Sequence, residues 1–137
     1  MKVELCHLEL SNGPEQKNIE LLEKAVRIAA EKGANWVITP ETAVQGYYFY
    51  KLAPETKVDK QPSSKLSFLL SLVKDYGLFL FLGCGEYDSE LNCNFNSCIV
   101  FEPSGEICGR HRKIISHGIG AESWARTTDV LKPVSYT

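Results

Sequence analysis

The sequence predicts an α/β layered fold, and three observations lead there. MKVELCHLEL alternates as a strand does, EQKNIELLEKAVRIAAEK carries apolar residues at helical spacing, and WVI is a second short apolar run. Strand, helix and strand in succession form a crossover unit, which lays a helix on the face of a sheet. The second half of the chain then reads mainly as sheet, with LFLFLGCGEY, NFNSCIVFE and ICGRHRK separated by short turn signals.

Taken in order, the first strand puts Val3, Leu5, His7 and Glu9 on one face and Cys6, Leu8 and Leu10 on the other. Apolar groups on both faces predict a strand in the interior of its sheet. Ser11, Asn12, Gly13 and Pro14 form a turn that leads into a helix, because proline fits the first turn, where its missing N–H is not needed. Ile19, Leu22, Val26 and Ala29 recur at helical spacing, and Gly33 is the expected stop. Trp36, Val37 and Ile38 form the next strand. Residues 51–62 are rich in charge and proline and predict a loop. Leu66, Leu69, Leu70 and Val73 predict a second helix, with Gly77 past its end. LFLFLGCGEY predicts a strand buried on both faces, and NFNSCIVFE pairs with ICGRHRK across the turn EPSGE. The segment from Ala121 to Thr137 has weak periodicity, and the chain has no internal repeat.

A length of 137 residues is that of one domain, and 44% hydrophobic residues is ordinary for a globular protein. Fifteen basic and seventeen acidic residues leave a net charge of -2, which offers no general attraction to nucleic acid or an anionic membrane. No apolar run is long enough to cross a bilayer, so a cytoplasmic location is the expectation. Five cysteines (Cys6, Cys84, Cys93, Cys98, Cys108) are an odd number with no CxxC pair. Neither a disulfide framework nor a zinc site is expected, and no cofactor is implied.

The residues that point to chemistry stand at strand ends. Pro40 cannot donate to a ladder, so the second strand ends there and delivers Glu41 at its carboxyl end, the edge of an α/β sheet where ligands bind. Held near Trp36 and the aromatic run from Tyr47 to Tyr50, such a carboxylate would be partly desolvated, raising its pKa toward the range of a general base. The alternatives are a glutamate that merely opens a surface loop and aromatics that pack that loop onto the core. Arg110 to Lys113 reads as a solvated strand end rather than a nucleic-acid patch, since four residues are a weak footprint in an acidic chain. Lys113, at the end of its strand, is placed to stabilise a developing oxyanion. Glu122 is either a second carboxylate that orients the lysine or the substrate, or a cap or surface charge.

In their order along the chain these features closely resemble the nitrilase superfamily of carbon-nitrogen hydrolases. NIELLEKAVRIAAEKGANWVITPETAVQGYYF resembles that family's first helix, second strand and catalytic glutamate motif. FNSCIVFEPSGEICGRHRKI resembles its hairpin ending in the catalytic lysine, and Glu122 to Trp124 resembles the glutamate segment that follows. The resemblance implies Glu41 as general base, Lys113 as the lysine that stabilises the tetrahedral intermediate, and Glu122 as a supporting carboxylate. It also implies a cysteine nucleophile that attacks an amide or nitrile carbon. Family members carry that cysteine well beyond the lysine, after a further strand, and here no cysteine follows Cys108. Cys84, flanked by glycines, is the internal alternative.

The resemblance further implies a four-layer αββα sandwich, of which residues 1–137 form a partial carbon-nitrogen hydrolase domain, its N-terminal portion. Half a sandwich leaves an apolar sheet face open, so the chain is expected either to be a fragment of a longer polypeptide or to need a partner, as a homo-oligomer or with a missing C-terminal half. The expected ligand is a small-molecule amide or nitrile, with no role for nucleic acid or membrane. Two functions stay open: a hydrolase of which this is a part, and a non-catalytic protein that keeps the sheet for binding or assembly.

Overall fold

A computed structural model describes residues 1–115 and 122–127 of the chain. The elements run β1 (Val3–Leu5), α1 (Glu15–Glu31), β2 (Trp36–Ile38), α2 (Phe49–Leu52), α3 (Ser67–Tyr76), β3 (Phe79–Asp88), β4 (Cys93–Phe101) and β5 (Ile107–Arg112), with a short 3-10 turn at Ser64–Leu66. Among the described residues the strands form one mixed sheet in the order β1-β2-β3-β4-β5. β1, β2 and β3 are parallel and are linked through α1 and α3, whereas β3, β4 and β5 are antiparallel neighbours.

Helix α1 begins directly after Pro14 and ends before Gly33, as its sequence predicts, and the apolar stripe of Ile19, Leu22, Val26 and Ala29 is buried. Helix α3 buries Leu69, Leu72 and Val73, and Leu66 of the preceding turn is buried with them. Leu70, expected on that face, is only half-buried, and Leu72 takes a place in the core. The two helices cover one face of the sheet, where Val37, Leu80, Leu82, Cys84, Ile99 and Phe101 close the core. Burial of this apolar surface is the main stabilising term of the layer.

Two expectations for the sheet need correction. β1 is an edge strand among the described residues: it pairs only with β2, and Val3 and Leu5 are 41% and 71% exposed. Cys6, Leu8 and Leu10 pack against the core, so the apolar pattern reported one real burial surface, and the opposite face has no described neighbour. β3 is buried on both faces only from Leu82 to Glu86. Phe79 and Phe81, on the face away from the helices, are half-buried.

Candidate active site

The loop after β2 is fixed by backbone contacts that leave little freedom. Thr39 donates its N–H to the Phe81 carbonyl at 3.0 Å, and Ala43 donates to the Gly83 carbonyl at 2.7 Å. The Gly83 N–H in turn donates to Oγ1 of Thr39 at 2.9 Å. A Cβ at Gly83 would lie 2.2 Å from the Pro40 carbonyl oxygen, so only glycine lets β3 approach the residue that precedes Glu41. Gly46 closes the loop at φ +83, and a Cβ there would lie 2.0 Å from the Ser11 carbonyl oxygen. Thr42 is held at φ 49 and is buried, a conformation that costs a β-branched residue about 1–2 kcal/mol. Gln45, fully buried, accepts from the Gly85 N–H at 2.7 Å and donates to Oε1 of Glu15 at 3.1 Å, tying the loop to α1 and β3 together.

Lys113 arrives from the other end of the sheet. Its backbone N–H donates to the Asn96 carbonyl at 2.7 Å, which extends the β4–β5 ladder by one residue past Arg112. Arg112 points to the opposite face, where it pairs with Glu86 at 2.6 Å and Asp88 at 2.8 Å and lies 4.0 Å above the Phe95 ring. Arg110 pairs with the same Glu86 at 3.3 Å. The expected solvated strand end holds for Arg110 and His111, which are exposed, but the run is not one patch: strand alternation directs Arg110 and Arg112 into an ion-paired cluster and Lys113 to the other side.

The structure brings the three expected residues together. Lys113 Nζ donates to Oε1 of Glu41 at 2.8 Å and also to Oε1 of Glu122. Asn96 Nδ2 donates to the same two oxygens, at 2.6 Å and 3.3 Å. Glu41, Asn96 and Lys113 line a cavity of about 220 Å³ at the rim of the sheet, with Cys98 and His111 further along its wall. Glu122 is 2% exposed, so it is not the surface charge that one reading of the sequence allowed. Its segment is docked by Trp124, whose ring meets Phe49 edge-on at 4.9 Å, and by the Arg126 N–H, which donates to the Asn94 carbonyl at 2.8 Å. Burial opposes the charge on Lys113, but the hydrogen bonds it donates to Glu122 and Glu41, with their negative charge, outweigh it and push the lysine up to about 12. The group is an ammonium at any ordinary pH.

Other expectations are corrected by the same geometry. Glu41 keeps 42% of its side chain exposed among the described residues, so the burial expected from its aromatic neighbours is not there. Trp36 packs instead on Phe79 and Phe81, at 6.1 Å and 5.2 Å, and Tyr47, Tyr48 and Tyr50 are exposed, while Phe49 is buried. Cys84 sits fully buried in the helix-side core, where desolvation first, and then the charge of Glu86, pushes its thiol well above the usual range. It is a core residue and lies outside the cavity. Burial likewise pushes up the thiol of Cys98, on the cavity wall. The expected segment Ala121 to Thr137 lies outside the described residues except at 122–127. Sequence reasoning missed Asn96 and the Glu86 cluster. The available signal was a polar residue inside an apolar strand, in FNSCIVF and in GCGEYD, which must find partners when buried.

Residues 3–134 match the carbon-nitrogen hydrolase family. The chain is 32% identical over 100 residues to a protein named nitrilase from Pyrococcus abyssi, covering 72% of this chain and 37% of that protein. It is 32% identical over 97 residues to omega-amidase NIT2-B of Xenopus laevis, covering 71% and 34%. The chain thus spans about a third of the length of these relatives. Among solved structures it shares the fold of Saccharomyces cerevisiae Nit3, a member of the nitrilase superfamily, at a TM-score of 0.79 with 21% identity, over 95% of this chain and 49% of that one. An amidase from Nesterenkonia sp. matches at a TM-score of 0.74 with 21% identity, over 97% and 49%. By its sequence match over almost its full length, and by a fold that agrees with it, the chain belongs to the carbon-nitrogen hydrolase family.

Proposed function

We propose that this chain forms the general-base and oxyanion-stabilising part of a hydrolase that acts on an amide or nitrile of a small molecule. The supporting observation is the meeting of Glu41 and Lys113 at one cavity, in direct contact at 2.8 Å, with the buried Glu122 holding Lys113 from behind. Glu41 takes the proton of a cysteine thiol supplied from outside residues 1–137, and the thiolate attacks the substrate carbon. With an amide, Lys113 stabilises the oxyanion of the tetrahedral intermediate, and Glu41 returns the proton to the departing amine, leaving a thioester. Water then attacks the thioester, with Glu41 again accepting the proton, and releases the acid and the thiol. Glu122 holds the lysine in place throughout.

The relatives named nitrilase and omega-amidase favour terminal amides and nitriles as the first compounds to try. Residues 1–137 are, on this reading, one portion of the working domain of a cytoplasmic protein, either completed by a C-terminal half or assembled as a homo-oligomer. The test is ammonia release by the complete protein from a panel of small amides and nitriles, in wild type and Glu41→Gln. Turnover that falls by about three orders of magnitude or more in the variant, with the fold kept, is the expected result. Retained turnover removes Glu41 from the mechanism, and a complete wild-type protein that turns over none of the panel favours a binding or assembly role instead.

A further inference from the structure

Asn96, on β4, is 5% exposed and has no role in the chemistry described above. Strand alternation sets it on the same face as Cys98, whose cross-strand neighbours Gly83 and His111 line the cavity with it. Its Nδ2 donates to Oε1 of Glu41 at 2.6 Å and to Oε1 of Glu122 at 3.3 Å, while its carbonyl accepts the Lys113 N–H at 2.7 Å. One residue therefore touches all three members of the cluster.

Two carboxylates meet here around the Lys113 ammonium. A neutral amide with two N–H donors suits the second bridging position: an aspartate would add a further negative charge, and an apolar residue would take away the donor that both carboxylates share. The two donors also select an oxygen. Asn96 and Lys113 both bind Oε1 of Glu41, and Oε2 accepts no hydrogen bond among the described residues, on a side chain that is 42% exposed. We infer that Asn96 is a positioning residue: together with Lys113 it anchors Oε1 of Glu41 and so leaves Oε2 as the oxygen that takes and returns the proton. The catalytic half of this statement rests on Glu41 acting as base, whereas the anchoring is measurable without turnover.

The test is an NMR titration of the side-chain carboxyl carbons of Glu41 and Glu122 in wild type, Asn96→Ala and Asn96→Asp, assigned through Glu41→Gln and Glu122→Gln. Lys113, His111 and Cys98 are the other titratable groups that line this cavity; His111 is followed by its own ring resonances, and burial pushes the Cys98 thiol up, away from the carboxylate range. Glu86, Asp88, Arg110 and Arg112 cluster on the opposite face of the sheet. Loss of a hydrogen bond to an ionised acceptor is expected to raise the first midpoint of the pair by about one pH unit in Asn96→Ala, a tenfold gain in proton affinity. Asn96→Asp is expected to raise it further. A folded Asn96→Ala whose midpoints match wild type, even with a lower melting temperature, overturns the inference by reducing Asn96 to a packing residue. If Asn96→Ala does not fold, Asn96→Ser is read in its place by the same criterion. Shifted midpoints in a protein without turnover would sink the hydrolase reading and leave the anchoring intact.

Discussion

Lys113 is the residue at which burial, charge and position meet. It is 35% exposed, holds two carboxylates, and is pushed up to about 12 because their hydrogen bonds and charge outweigh the desolvation that opposes them. A lysine whose folded value lies above its unfolded one stabilises the fold fully below the unfolded value of 10.5, and the gain disappears as pH rises through about 12. The stability difference between wild type and Lys113→Met, from denaturant melts at a series of pH values, is therefore expected to stay level up to pH 10.5 and to shrink from there to about 12. Solvent screening at this exposure keeps the difference smaller than the shift alone implies. A difference that does not change across that window would mean that the carboxylates do not hold the lysine. The placement of Glu41 and Lys113 was legible because each stands at the end of a strand, where periodicity stops. The burial of Glu122 was not, since a lone glutamate in a weakly periodic segment carries no sign of what closes over it.

At the scale of elements, the site depends on how closely the Glu41 loop lies against β3. Gly83 carries that contact: its N–H and carbonyl both bind the loop, and the space a side chain would need is filled by the Pro40 carbonyl, 2.2 Å from an ideal Cβ. Gly83→Ala is expected to push the loop off the strand, at a cost of about 1–3 kcal/mol in a denaturant melt. It is also expected to separate Glu41 from Lys113, seen as loss of the lysine's elevated titration. A variant of wild-type stability and titration would show that the loop yields without cost. The helices, the β2 boundary at Pro40 and the β4–β5 hairpin were all readable from periodicity and turn residues. The tight approach at Gly83 was not, because the glycines of LGCGEY look alike in sequence, and only tertiary contact separates one that must lack a side chain from one that need not.

For the molecule as a whole, the two faces of the sheet differ in what covers them. The inner face is closed by α1 and α3. On the outer face, Val3, Trp36 and Phe79 stand in register as one row, and Leu5, Ile38, Phe81 and Val100 as the next. The aromatic side chains of these rows cover each other in part, and at the β1 end of the rows Val3 and Leu5 are exposed. The sheet ends on one side in β1, which among the described residues has a strand neighbour on one edge only, and an open edge favours pairing with another chain. Apolar rows and an open edge on one side favour association over a free surface. The 137-residue chain alone is therefore expected to sediment as a species larger than its 15.3 kDa. Replacing Leu5 and Phe81 with lysine, which puts charge into the middle of the second row, is expected to shift it toward the monomer while α1 and α3 keep their helical signal. A wild-type chain that sediments as a stable monomer would show that the outer face is satisfied without a partner.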